Sequence, residues 1–156
     1  MNPLDSIETA MVERLKAAMP RLMVQGFPDR PDHFHCTHPV GVALVCYRGS
    51  AFGAPVGAGA IQQERTLRFE ITLMVRNLRD HGGAYEHLEA ARMALMAWVP
   101  IPGFQGCWIE QDGFVHQAEG LWQWRLMVAT RGYAFCNPVD ESGPFLVSVT
   151  PFLENT

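Results

Sequence analysis

Charge is the scarcest commodity in this chain. Only 18% of its 156 residues are charged, against 48% apolar, so it lacks the polar, highly charged composition that keeps a chain disordered. It also lacks a basic excess. Twelve Lys and Arg against sixteen Asp and Glu leave a net charge of −4, without the electrostatic footprint of a protein that grips nucleic acid through its phosphates. Cysteine is sparse: Cys36, Cys46, Cys107 and Cys136 are far apart with no C-x-x-C pair, so four buried free thiols are expected rather than a redox motif. No segment approaches the ~18 apolar residues of a membrane-spanning helix, and Met1 to Asp5 has neither the basic nor the apolar run of a signal peptide. A reduced, cytoplasmic protein without a membrane partner is the expectation. Repeats and low-complexity tracts are missing too.

What is there is apolar and alternating. A chain of this length is one domain's worth, able to bury roughly 70% of its unfolded surface. The apolar surplus beyond one core implies copies that cover one another. From Gln62 to Asn77, Leu67, Phe69, Ile71, Leu73 and Val75 alternate with Arg68, Glu70, Thr72, Met74 and Arg76, the period of a half-buried strand. Before it, Arg48 to Ala60 reads as a long loop rich in Gly and Ala, too poor in polar groups to be an ordinary solvated connection. It is expected to be covered by something.

A first helix carries Ile7, Met11, Leu15 and Ala18, with Asp5 or Ser6 as its cap and Pro20 as its stop. A short strand over Arg21 to Gly26 follows, then a Pro-, Asp- and His-rich loop from Phe27 to Pro39, then a central strand from Val40 to Tyr47. After Arg79-Asp80-His81-Gly82-Gly83, a second helix runs from Ala84 to about Trp98. Tyr85, Leu88, Arg92, Leu95 and Val99 form its stripe, Ala91, Ala94 and Ala97 allow close packing, and Pro100 and Pro102 end it. The last third reads as strands: Gly106 to Gln111, a turn at Asp112-Gly113, Phe114 to Gln117, and Leu121 to Arg131 with Trp122, Trp124, Leu126 and Val128 on one face. Phe145 to Thr150, bounded by Pro144 and Pro151, is a final strand-like segment. The order predicts an α+β fold, a mostly antiparallel sheet with two helices packed on one face. Residues 1–133 form the domain and residues 134–156 a C-terminal arm.

Chemical motifs are thin. His33, His35, Cys36 and His38 form the one dense cluster of zinc-capable donors, but structural sites draw ligands from two separated pairs, and no second pair follows. The Gly49 to Gly59 loop ends without the Gly-Lys-Ser/Thr of a phosphate loop and lacks the third glycine of the dinucleotide fingerprint. Gly49-Ser50-Ala51-Phe52-Gly53 does not place its serine as a nucleophile elbow does. Glu64, Glu70, Glu110 and Asp112 are unpaired as catalytic carboxylates, and ion pairing with Arg68 and Arg76 accounts for Glu70. No catalytic residue, metal ligand or cofactor is expected. The competing reading is a small cytoplasmic α+β enzyme or ligand- or metal-binding domain using the Gly-rich loop and the His33 to His38 cluster.

The strand Val42-Ala43-Leu44-Val45 with Tyr47-Arg48-Gly49-Ser50, the stretch Gln63-Glu64-Arg65-Thr66-Leu67-Arg68-Phe69, then Arg76-Asn77-Leu78, the helix start Gly83-Ala84-Tyr85 and the opening helix Ile7 to Ala18 resemble the Mu-like phage tail-terminator family over about residues 4 to 131. That resemblance implies a small α+β virion protein forming a ring, commonly a hexamer, on the head-proximal end of the tail tube. Such a ring ends tube polymerisation and joins the tail to neck or head–tail connector proteins. It implies location in the neck region of the tail after assembly in the host cytoplasm. It carries no catalytic residues. Six copies at −4 give about −24, a charge that repels phosphates and lets DNA pass through the lumen without specific binding. Ser50, Phe52, Pro55 and Val56 in the loop are the expected contacts with the tube or the next subunit. Phe145, Val147 and Val149 in the arm suit strand addition to a sheet edge, either on a neighbour or on the same subunit.

Overall fold

The computed structural model describes residues 2–58, 61–80 and 82–136; the expected contacts Phe145, Val147 and Val149 lie outside them. The chain builds α1 (Pro3–Ala18), β1 (Met23–Gly26), β2 (Gly41–Phe52), β3 (Gln62–Val75), α2 (Ala84–Leu95), β4 (Trp108–Ala118) and β5 (Leu121–Phe135). The five strands form one sheet in the order β1-β2-β3-β5-β4, antiparallel except for β1 beside β2. Both helices pack on one face, giving the expected α+β architecture.

The core follows from the alternation in β3. Leu67, Phe69, Ile71, Leu73 and Val75 are all at most 2% exposed, and at roughly 1.5–3 kcal/mol each their burial makes this strand the centre of the fold. Register carries the pattern sideways: Phe69 lies opposite Tyr47 and Val128, Ile71 opposite Val45 and Leu126, and Leu73 opposite Ala43 and Trp124. Ile7, Met11 and Leu15 of α1 and Ala84, Leu88, Ala91 and Leu95 of α2 close over this face. Trp122, Trp124, Leu126 and Val128 share it, as their spacing predicts.

Several boundaries differ from the sequence reading. Asn2, not Asp5 or Ser6, caps α1: its side chain accepts the Asp5 amide at 2.9 Å, and Pro3 occupies the first turn, where a missing N–H costs nothing. α2 stops at Leu95, before Pro100 and Pro102 are reached. The chain turns at Ala97 (φ 64) into a short pairing in which Ala97 N–H donates to Cys107 O and Cys107 N–H to Trp98 O, both at 2.8 Å. Val99 of the predicted stripe is therefore exposed; Tyr85, in the first turn of α2, is exposed as well, and buried His87 takes a place in the packed face.

The Asp112-Gly113 turn does not exist. β4 runs straight through it, with Gly113 opposite Arg125, and register slips at Ile109/Gln111 and Phe114/His116 absorb the broken alternation. The reversal comes at Glu119 (φ 53) and Gly120 (φ 77), the two left-handed residues of a type I′ hairpin.

The largest difference is in β2. Arg48 to Phe52, read as loop, are strand. The register slips between Tyr47 and Gly49, after which Ser50 pairs with Leu67, Ala51 with Thr66 and Phe52 with Arg65. One bulged residue shifts the alternation by a step, and Gly49 (φ 128) supplies the bend. The Gly-rich loop is thus only the tip of a hairpin, tied by reciprocal Val56–Gln62 backbone bonds of 2.8 and 3.0 Å.

Candidate assembly surface

Because β2, β3 and β5 outrun their neighbours, they form a three-stranded ribbon. β1 stops at Gly26 opposite Val45, and β4 begins at Trp108 opposite Ala129, whereas β2 continues to Phe52, β3 starts at Gln62 and β5 ends at Phe135. Among the described residues no strand pairs with β2 on the β1 side beyond Val45. The ribbon carries a concentration of uncovered apolar side chains: Phe52, Val56, Ile61, Tyr133 and Phe135 are each more than half exposed, Phe135 at 69%. Ser50, Phe52, Pro55 and Val56, the four expected loop contacts, therefore lie together on one structural unit. Ile61, Tyr133 and Phe135 were missed. The last two were legible as an aromatic i, i+2 pair on one strand face, with rings 6.5 Å apart.

Ser50 does not point freely outward. Its hydroxyl lies 2.6 Å from the Tyr47 phenol and accepts from Arg65 Nε at 3.0 Å, while a second Arg65 nitrogen reaches the phenol at 3.4 Å. The Arg65 guanidinium also sits 5.2 Å from the Phe52 ring centroid. Burial alone pushes the Tyr47 phenol up, but the hydrogen bonds from Ser50 and Arg65 and the Arg65 charge outweigh it, and its pKa lies below the usual tyrosine value. Arg65 is thus a clasp that orients the ribbon's aromatic groups.

The face of the sheet away from the helices is charged, and three of its arginines are paired with carboxylates. Arg48 lies 3.6 Å from Glu70, Arg68 2.9 Å from Glu110 and Arg131 3.4 Å from Glu64, and Arg131 also covers the Trp108 ring at 5.4 Å. Glu70 finds its partner in Arg48, not in Arg68 or Arg76. Arg76 instead donates to the carbonyls of His38 and Cys36 at 3.1 and 3.3 Å, fastening the β1–β2 connection across this face. Within that connection His38 Nδ1 accepts the amides of Val40 and Gly41 at 3.2 and 3.3 Å. His38 is used structurally, and among the described residues no three His, Cys, Asp or Glu side chains gather as a metal site.

The four thiols are free, but only Cys107 is buried, Cys36 and Cys46 being half-buried and Cys136 exposed. Burial pushes the Cys107 thiol up to about 11, with a hydrogen bond to Thr130 opposing. Burial also raises Cys46, against the Arg48 charge. Among the described residues no helix is long and apolar enough to cross a membrane.

Fold and surface together define a small two-layer α+β protein distinguished by a projecting, apolar-tipped ribbon. The sequence profile of the Gp37 protein family matches residues 11–154, and the chain belongs to that family, a phage-related one. The match runs past the Tyr133 boundary of the recognised domain. No curated protein matches the chain.

Proposed function

We propose that this protein is a structural component of a phage tail, a terminator that forms a ring on the head-proximal end of the tail tube, halts its polymerisation and joins it to neck or connector proteins. The ring is built from copies of this chain, six in the arrangement the tail-terminator resemblance implies. It belongs to the virion, in the neck region, and performs no catalysis. The observation that carries this reading is the ribbon: five large apolar side chains stand uncovered on one protrusion, aromatic and aliphatic groups of the kind that mark protein–protein contact. The phage-related family fits that role. The paired charges of the open sheet face fit a wall past which DNA moves without being held, since Arg48, Arg68 and Arg131 are each engaged by a carboxylate.

The test is direct. Purified protein is added to polymerising tail tubes and tube lengths are measured in negative-stain images. Tubes should stop lengthening and carry a ring at one end; tubes that grow identically with and without the protein would overturn the reading. Deletion of residues 52–59, with folding of the subunit checked by circular dichroism, should abolish capping.

A further inference from the structure

The ribbon has two dissimilar edges, and they face opposite ways. On one side β2 from Cys46 to Phe52 lies beyond the end of β1, its outward backbone groups without a strand partner among the described residues. On the other side β5 leads into the C-terminal segment, tethered at Cys136, whose amide donates to Ile61 O at 3.0 Å. Edge strands are ordinarily blunted. β4, the other outer strand, is interrupted by two register slips, a recognised protection against edge-to-edge pairing. Past the single bulge at Arg48, β2 resumes regular pairing from Gly49 to Phe52.

We infer that the Cys46–Phe52 edge of β2 is the acceptor for residues 145–150 of a neighbouring copy, which add to it as a strand. The inference rests on the ring reading and says how such a ring would be locked. The dimensions agree: the seven edge residues, with the Arg48 bulge among them, span at most about 23 Å, and the six residues between Pro144 and Pro151 span about 20 Å when extended. Phe145, Val147 and Val149 alternate with Leu146, Ser148 and Thr150, the composition and period of a strand with one apolar row. The two flanking prolines donate no ladder bonds and set the segment's limits. The linker, residues 137–144, reaches up to about 27 Å. The family match through residue 154 makes this segment part of the family's pattern.

Polarity favours the neighbour over the parent subunit. Donor and acceptor sit at opposite edges of the ribbon, about 10 Å apart across three strands. Return to the same subunit would take the linker across the ribbon, over either the Phe52–Arg65 clasp or the Arg131–Glu64 pair. Passing outward to the next copy crosses nothing. A donor on one edge and an acceptor on the other define a head-to-tail contact, the geometry that generates rings when the rotation closes.

Cross-linking of the full chain tests this. Both partners carry Cys36→Ser and Cys136→Ser; one keeps Cys46, and the other has Cys46→Ala with Ser148→Cys. After mixing and treatment with a short bis-maleimide, a cross-linked pair between the two chains is expected, mapped by mass spectrometry to Cys46 and position 148. Absence of that pair, or a product found only within one chain when both thiols are on it, overturns the inference. In a second arm, Val147→Pro with Ser148→Pro, adjacent positions of which one must present its amide to the acceptor, should raise the concentration needed for assembly at least tenfold while leaving the subunit's thermal midpoint unchanged; unaltered assembly overturns the inference. Cross-linking between copies together with uncapped tubes would refute the terminator reading and leave the strand exchange standing.

Discussion

At the scale of single residues, Glu8 shows how local packing sets a measurable property. It lies on α1 beside Gly26, where a Cβ would collide with its carboxylate, and burial, then the charges of Asp5 and Asp29, raise its pKa above the ordinary glutamate value. A carboxyl whose folded pKa is raised binds its proton more tightly in the native state than in the unfolded one. Its contribution to stability is therefore greatest below the unfolded value of 4.5 and declines as pH rises through the folded one. Glu8→Gln should raise the thermal midpoint at pH 7 and give a smaller gain or none at pH 4. An equal shift at both pH values would show that Glu8 is not strained by its charge. Arg65 makes the complementary point: nothing in its sequence context marks it, since the Tyr47, Ser50 and Phe52 it gathers become neighbours only once β2 and β3 pair in a register shifted by one.

At the scale of elements, the strongly periodic pieces were readable and the irregular ones were not. The β3 alternation and the Ile7, Met11, Leu15 spacing put the right side chains in the core because each period matches its element's geometry. The far half of β2 is not legible because a bulge throws alternation out of phase, and the small residues after it carry no strand signature. The Asp112-Gly113 pair misled for the reverse reason: a favourable turn dipeptide lies in a strand whose partner, β5, holds it extended. The real turn, Glu119-Gly120, offers a clean test. Gly120 has φ 77 and no heavy atom within 4 Å of where a Cβ would lie, so Gly120→Val should cost only the left-handed backbone penalty, about 1–2 kcal/mol. Glu119→Asn should stabilise, since Asn precedes Gly in favoured I′ turns. Urea midpoints measure both, and an unchanged midpoint for Gly120→Val would refute the turn assignment.

At the scale of the whole molecule, the apolar surplus of the sequence and the geometry of the fold meet at the ribbon. The helices cover one face of the sheet only as far as β1 and β4 extend, so the strands that outrun them leave Phe52, Val56 and Ile61 near the tip with no layer on top among the described residues. In an isolated subunit, exchanging such half-exposed groups for serine costs little, usually within about 0.5 kcal/mol each. In a ring each would be buried against the next copy or the tube, and its loss would remove part of the roughly 1.5–3 kcal/mol that full burial of such a side chain provides. The triple variant Phe52→Ser, Val56→Ser, Ile61→Ser is therefore expected to keep the subunit's denaturant midpoint nearly unchanged. A loss of about 2 kcal/mol at the contact weakens association about thirtyfold, and a closed ring, which makes that contact at every junction, multiplies the loss around the circle. Sedimentation across a concentration series separates the two effects. Unimpaired assembly by the triple variant would show that the copies meet through some other surface, whereas a collapsed denaturant midpoint would show that the tip is packed within its own subunit.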